Sequence, residues 1–188
     1  MLLGPSHFVP FSGLALSTAE TFQTLLGSIR IDQEAIQKIA KLSQVVCLDQ
    51  AHANEHSLEV ELPFLQVVLE KFTLVPLAVG DAEPTEVRDV LECIWGGPET
   101  LIVVSSDLSH YLDYHSARKT DGQTARAIEA LDYERIGDRQ ACGAYCIRGL
   151  PAAARKHRLS ARTLDLRNSG DTAGNKDSVV GYGAFAFE

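Results

Sequence analysis

Along the chain, short apolar runs alternate with longer segments whose apolar residues recur at helical spacing. Val45 to Leu48, Phe72 to Val79, Leu101 to Val104 and Val179 to Phe187 are rich in Val, Leu and Phe and predict strands, with a further strand over Thr163 to Leu166. Asp32 is placed to cap a helix that carries Ile36, Ile39 and Leu42 on one face. Leu58 to Phe72 repeats the helical pattern, with Pro63 expected to kink its early part. Pro84 opens a third helix at its first position, running to Trp95 and stopped by Gly96 and Gly97. Ala117 to Leu131 and Gly143 to His157 predict two more. Strands alternating with helices give an α/β layered fold with a mostly parallel sheet flanked by helices. No repeat, low-complexity tract or linker divides the chain, so the expectation is one domain over residues 1–188.

Composition narrows the function classes. The chain of 188 residues has 45% hydrophobic and 22% charged residues, the balance of an ordinary globular domain. Its 17 basic against 25 acidic residues leave a formal charge of −8, which argues against nucleic acid or an anionic membrane surface as partner. No apolar run approaches the ~18 residues of a membrane span. Met1 to Pro5 lacks the basic and apolar regions of a signal peptide. Four cysteines without a CxxC pair fit reduced thiols and a cytoplasmic location. Cys47, Cys93 and Cys146 read as small core residues.

The chemistry concentrates where strands end, the place at which open α/β sheets bind ligands. Gly4-Pro5-Ser6-His7 follows the Met1 to Leu3 strand stub, and the segment from Asp49 to His56 follows the Val45 strand. Ser105 to Tyr111 follows the Leu101 strand, and Asn168 to Gly174 follows the Thr163 strand. His7 projects from a Gly-Pro turn. Asp107 and His110, three apart on one loop, suit a carboxylate that fixes an imidazole tautomer, making the ring an oriented base or ligand. The same Asp107 also suits a plain turn cap. Cys142 stands where a helix is expected to begin, which would lower its thiol pKa. Glu55, His56 and His52 are candidates for supporting groups. Neither GxGxxG, GxxxxGK[ST], GxSxG nor HExxH occurs, which removes the common nucleotide, hydrolase and zincin signatures.

Taken in order, Gly4-Pro5-Ser6-His7, the stretch Glu55 to Phe64, Ser105 to Tyr111, Ala141-Cys142-Gly143, Asn168 to Gly174 and Val180-Gly181-Tyr182 resemble the Memo-like family. Its bacterial and archaeal members are labelled AmmeMemoRadiSam system protein B. The resemblance spans essentially the whole chain and implies a fold similar to class III extradiol dioxygenases. It implies His7 and Cys142 as metal ligands, with Asp107 and His110 lining the same cleft. A third family ligand, from a His-Ala-Gly-Tyr segment upstream of the GPSH motif, has no counterpart here. The stub at Met1 to Leu3 is therefore expected to be an inner strand with an unpaired edge beside it, in a chain shorter than the family at its start. Family genome context implies AMMECR-type and radical SAM proteins as partners.

Three functions stay open. A metal-binding, redox-active protein would use iron or copper, with zinc also suited to imidazole and thiolate donors; His110, held by Asp107, would be its general acid and base. A binding module would take a peptide or small molecule in the cleft without turnover. A thiol hydrolase would use Cys142 as nucleophile, His110 as base and Asp107 as orienter.

Overall fold

Leu2 and Leu3 are both fully buried, yet they face opposite sides of one strand and enter two different clusters of apolar side chains. That placement needs a strand covered on both faces, the environment of a parallel sheet between helices. The computed structural model describes residues 1–172 and 174–188, and its central sheet has this form. The chain begins with β1 (Leu2–Pro5) and β2 (Leu14–Leu16), followed by the hairpin of β3 (Thr21–Thr24) and β4 (Gly27–Arg30). Next come α1 (Gln33–Ile39), β5 (Val45–Cys47), α2 (Gln50–Ala53), α3 (Leu62–Val68), β6 (Pro76–Val79) and α4 (Pro84–Cys93). The second half holds β7 (Val103–Val104), β8 (His110–Leu112), α5 (Tyr114–Glu129), α6 (Ala144–His157), β9 (Ala161–Asn168) and β10 (Val179–Phe187).

The five-stranded sheet runs β5-β2-β6-β1-β7, with every pairing parallel except β2 against β6. On one face Leu3, Leu77 and Val79 pack with Val87, Val90 and Leu91 of α4 and with Cys146, Leu150 and Ala153 of α6. On the other face Leu2 packs with Leu58, Leu62, Leu74, Ile29 and Ile31. Each such leucine contributes roughly 1.5–3 kcal/mol on leaving water, so β1 is pinned from both sides. A second sheet, β8-β10-β9, is antiparallel and packs on α5. Among the described residues no helix is long and apolar enough to cross a membrane.

β1 is an inner strand as expected, but the open edge predicted beside it is not there. β6 pairs with β1 over Leu2–Pro5 and β7 pairs with it through Val103 and Val104, so both sides are filled. Pro63 does not kink a long helix. It lies in the first turn of α3, where a missing N–H costs nothing, and the preceding residues Glu59–Glu61 form a 3-10 turn instead. Asp32 caps α1 through the Ala35 N–H at 3.0 Å. Cys146 is a core residue, whereas Cys47 and Cys93 are exposed.

The antiparallel β2–β6 junction has a consequence for the site. The carboxyl ends of β1, β6 and β7 share one edge, and those of β2 and β5 lie at the opposite one. Asp49 is accordingly held at that far edge by Ser17 and Thr18. After α2 the chain returns, so that Glu55 and Ser57 meet the end of β1. The loop after β9 belongs to the second sheet, and Ala173 in it lies outside the described residues.

Candidate metal centre

His7 leaves the end of β1 two residues after Pro5, with the Ser6 N–H still donating to Val79 O at 2.9 Å. Its backbone N–H and its ring both go to the buried carboxylate of Glu55, at 2.5 Å to Oε2 and 2.9 Å from Nδ1 to Oε1. Glu55 also accepts the Ser57 N–H at 2.9 Å, and Ser57 Oγ donates to Pro5 O at 2.8 Å. Burial would raise the Glu55 carboxyl pKa, but the bonds from His7 and Ser57 outweigh it and hold the group below the usual carboxylate range. A carboxylate can only accept, so His7 Nδ1 carries a proton, and Nε2 is the ring's remaining nitrogen for a ligand. His56 stacks on His7 with ring centroids 5.2 Å apart and planes 14° from parallel.

The next strand brings the second half of the site. Ser105 N–H donates to Leu3 O at 2.8 Å, which extends the β1–β7 register past Val104. Asp107 and Cys142 then grip each other: Asp107 N–H donates to Cys142 Sγ at 3.2 Å, and Cys142 N–H to Asp107 O at 3.2 Å. Ser106 Oγ accepts the Gly143 N–H at 2.8 Å and lies 3.7 Å from the sulfur. Gly143 must be glycine for this contact, since a Cβ there would fall 2.8 Å from Ser106 Cβ. His110 Nδ1 bonds to Leu108 O at 2.9 Å, and Nε2 lies 3.5 Å from Asp107 Oδ2.

Two expectations change here. Leu108 O, not Asp107, meets the His110 Nδ1: a carbonyl can only accept, so Nδ1 carries a proton, and Nε2 faces the Asp107 carboxylate. Cys142 does stand directly before α6, which starts at Ala144 with Gly143 as its cap, but that position does not have the expected effect on the thiol. Its thiol pKa is raised, not lowered; burial dominates and the Asp107 carboxylate adds to it, while bonds from Ser106 and the Asp107 and Gly143 N–H groups oppose it.

The ligand atoms fall into two groups, each within 4.8 Å: His7, Glu55 and His56, and Asp107, His110 and Cys142. Among the described residues no such group contains both His7 and Cys142. The two groups stand beyond the ends of the neighbouring parallel strands β1 and β7, at one edge of the sheet. Glu55 supports His7 directly. His52 does not join them, its Nε2 lying 3.1 Å from Ala15 O. Ser57, Ser106 and the Leu108 carbonyl were not foreseen; the Ser105-Ser106 doublet directly after a strand was the one signal that pointed to any of them.

The Asp107 group places a carboxylate oxygen, a sulfur and an imidazole lone pair against one another, an arrangement that protons or a cation must relieve. Fold and site together define an α/β protein whose parallel-strand edge carries a His/Cys/carboxylate cluster. The sequence matches the family described as "Memo-like protein" over residues 1–186. A MEMO1 family protein of Saccharolobus islandicus is 35% identical over 201 residues, covering 100% of this chain and 71% of that protein. One from Metallosphaera sedula is 31% identical over 200 residues with the same coverage. One from Sulfolobus acidocaldarius is 31% identical over 195 residues, 97% of this chain and 69% of its own length. The chain belongs to the Memo-like family.

Proposed function

We propose that this edge of the sheet binds a transition-metal ion, iron or copper, and that the protein is a metal-dependent redox protein. The supporting observation is the fixed acceptor that meets Nδ1 of both histidines. Each Nδ1–H is taken by a fixed acceptor, Glu55 for His7 and Leu108 O for His110, so each Nε2 is free to donate. This is the outer-shell arrangement of metal-bound imidazoles. Cys142 adds a sulfur that already accepts one N–H bond. The Asp107, His110 and Cys142 group thus suits a metal, with Cys142 Sγ and His110 Nε2 as donors and Asp107 beside them, and His7 would have to join from the neighbouring strand end. Thiolate and imidazole suit iron or copper over magnesium or calcium.

Bound there, the metal would supply Lewis acidity or one-electron chemistry. The protein's own groups do the rest. Glu55 and Leu108 O hold the two rings in place. Asp107 Oδ2, half-exposed beside His110, takes up or returns a proton at the cleft. The hydrolase reading gains no support from the geometry. In a Cys-His-Asp relay the carboxylate holds one ring nitrogen and leaves the other to the thiol, whereas here a carbonyl occupies Nδ1 and the Asp107 carboxylate lies toward Nε2.

Elemental analysis tests this reading. Metal-free protein incubated anaerobically with Fe(II), or with Cu(I) or Zn(II), and then desalted should retain about one ion per chain. Retention no greater than that of a His7→Ala/Cys142→Ser double variant would overturn it.

A further inference from the structure

Asp121 stands in the middle of α5, only 2% exposed, and makes no salt bridge among the described residues. A buried carboxylate without a cation is costly, and burial raises its pKa. The Ser109 N–H donates to its Oδ1 at 3.0 Å. Ser109 N–H and Leu108 C=O are the two ends of one trans peptide unit. The far end of that unit, Leu108 O, accepts the proton of His110 Nδ1 at 2.9 Å.

The surroundings hold this peptide rigidly. Leu108 N–H donates to Gly181 O and Gly181 N–H to Ser109 O, both at 2.8 Å. Gly181 is pressed so close to the carboxylate that a Cβ on it would lie 2.1 Å from Asp121 Oδ2. The glycine of the Val180-Gly181-Tyr182 motif thereby gains a reason: it lets Asp121 reach the loop.

We infer that Asp121 is a positioning residue that orients and polarises His110 through the Leu108–Ser109 peptide. A carboxylate accepting the N–H of a peptide strengthens that peptide's carbonyl as an acceptor, because aligned hydrogen bonds polarise one another. The stronger carbonyl holds the Nδ1 proton more firmly and makes Nε2 a better donor. The effect is that of a carboxylate–histidine pair at a metal site, with a peptide unit placed between the two. A carboxylate that merely tied α5 to the sheet would leave the state of the His110 ring unchanged.

The inference rests on His110 Nε2 being a metal donor, but its primary readout needs no metal. In metal-free protein labelled with ¹⁵N-histidine, the two ring nitrogens of His110, assigned by their loss in a His110→Asn variant, report the tautomer. Wild type should show a single Nδ1–H form and an exchange-protected Ser109 amide. Asp121→Ala should populate the Nε2–H form, and Asp121→Asn, which keeps an acceptor oxygen, should restore the Nδ1–H form. Affinity for Co(II) should fall about 10- to 100-fold in Asp121→Ala and largely recover in Asp121→Asn. A folded Asp121→Ala protein with the wild-type tautomer would overturn the inference. If that variant does not fold, Gly181→Ala serves in its place, because its methyl group displaces the carboxylate without removing it. If neither folds, an Nε2–H tautomer or an unprotected Ser109 amide in wild type is enough to reject the role. Wild-type protein that shows the tautomer pattern but binds no cobalt would remove the metal reading and leave the link from Asp121 to His110 intact.

Discussion

Cys142→Ser is expected to weaken metal binding by at least about 100-fold, more than the loss typical of an outer-shell partner. On the free-energy scale that is about 2.7 kcal/mol or more. The sulfur is the only soft donor in its cluster, and serine keeps the volume while replacing a thiolate by a hydroxyl that stays protonated. Cys146→Ser is the control. Cys146 is fully buried among α4 and α6 side chains, and burial, reinforced by the nearby Cys142 sulfur, drives its thiol pKa far up. That substitution should cost stability, since it buries a hydroxyl in an apolar cluster, and leave metal content near wild type. Isothermal titration with a metal competed by a chelator reads both variants. Equal affinities for the two would remove Cys142 from the ligand set. Because the Cys142 thiol is held protonated in the absence of a cation, metal uptake should also release a proton, so apparent affinity should rise with pH.

The second large effect is on stability. Glu55→Ala in the metal-free protein removes the acceptor for two backbone N–H groups and one ring N–H. Two of these donors belong to His7, just past the end of β1, and the third to Ser57 in the turn that meets it. Bonds to a charged acceptor contribute roughly 1.5–3 kcal/mol each, and they are not additive, so a loss of about 3–5 kcal/mol in urea unfolding is expected. The pH dependence follows from the same bonds. The folded carboxyl has a lower pKa than the ordinary value of 4.5. Its contribution is therefore complete above that value and fades as pH falls through the folded value. Wild type should lose this increment on acidification below 4.5, and Glu55→Gln, which has nothing to titrate, should show a flatter profile across the same window. Parallel profiles would show that Glu55 is not held ionised by His7 and Ser57.

Much of the central sheet was legible because its strands read as unbroken apolar runs, whether buried throughout, as in Pro76–Val79, or at the sheet edge, as in Val45–Cys47. Thr21–Thr24 and Gly27–Arg30 escaped because they form a largely exposed hairpin with polar residues at most positions. Leu14–Leu16 is only three residues long, too short for its apolar pattern to mark a strand. The direction of β2 and β5 could not be read at all. Apolar runs do not encode whether a strand runs up or down, and that reversal decides which loops reach the site. His7, Asp107, His110 and Cys142 were legible as chemistry, because donor side chains stand beside strand ends. Their supports were less so. A backbone carbonyl such as Leu108 O has no residue-type signature, and Asp121 looks from sequence like any acidic residue on an exposed helical face. The Cys142 thiol was misjudged in direction because proximity to a helix start is visible in sequence, whereas desolvation by the folded loop is not.

X-ray absorption at the metal edge tests the central claim most directly. Zinc is a suitable probe, since it binds the same thiolate and imidazole donors without redox change. In loaded wild-type protein the account predicts a single sulfur scatterer at about 2.3 Å with imidazole nitrogens at about 2.0–2.1 Å, and loss of the sulfur shell in Cys142→Ser. A spectrum with oxygen and nitrogen neighbours alone, unchanged by Cys142→Ser, would contradict it.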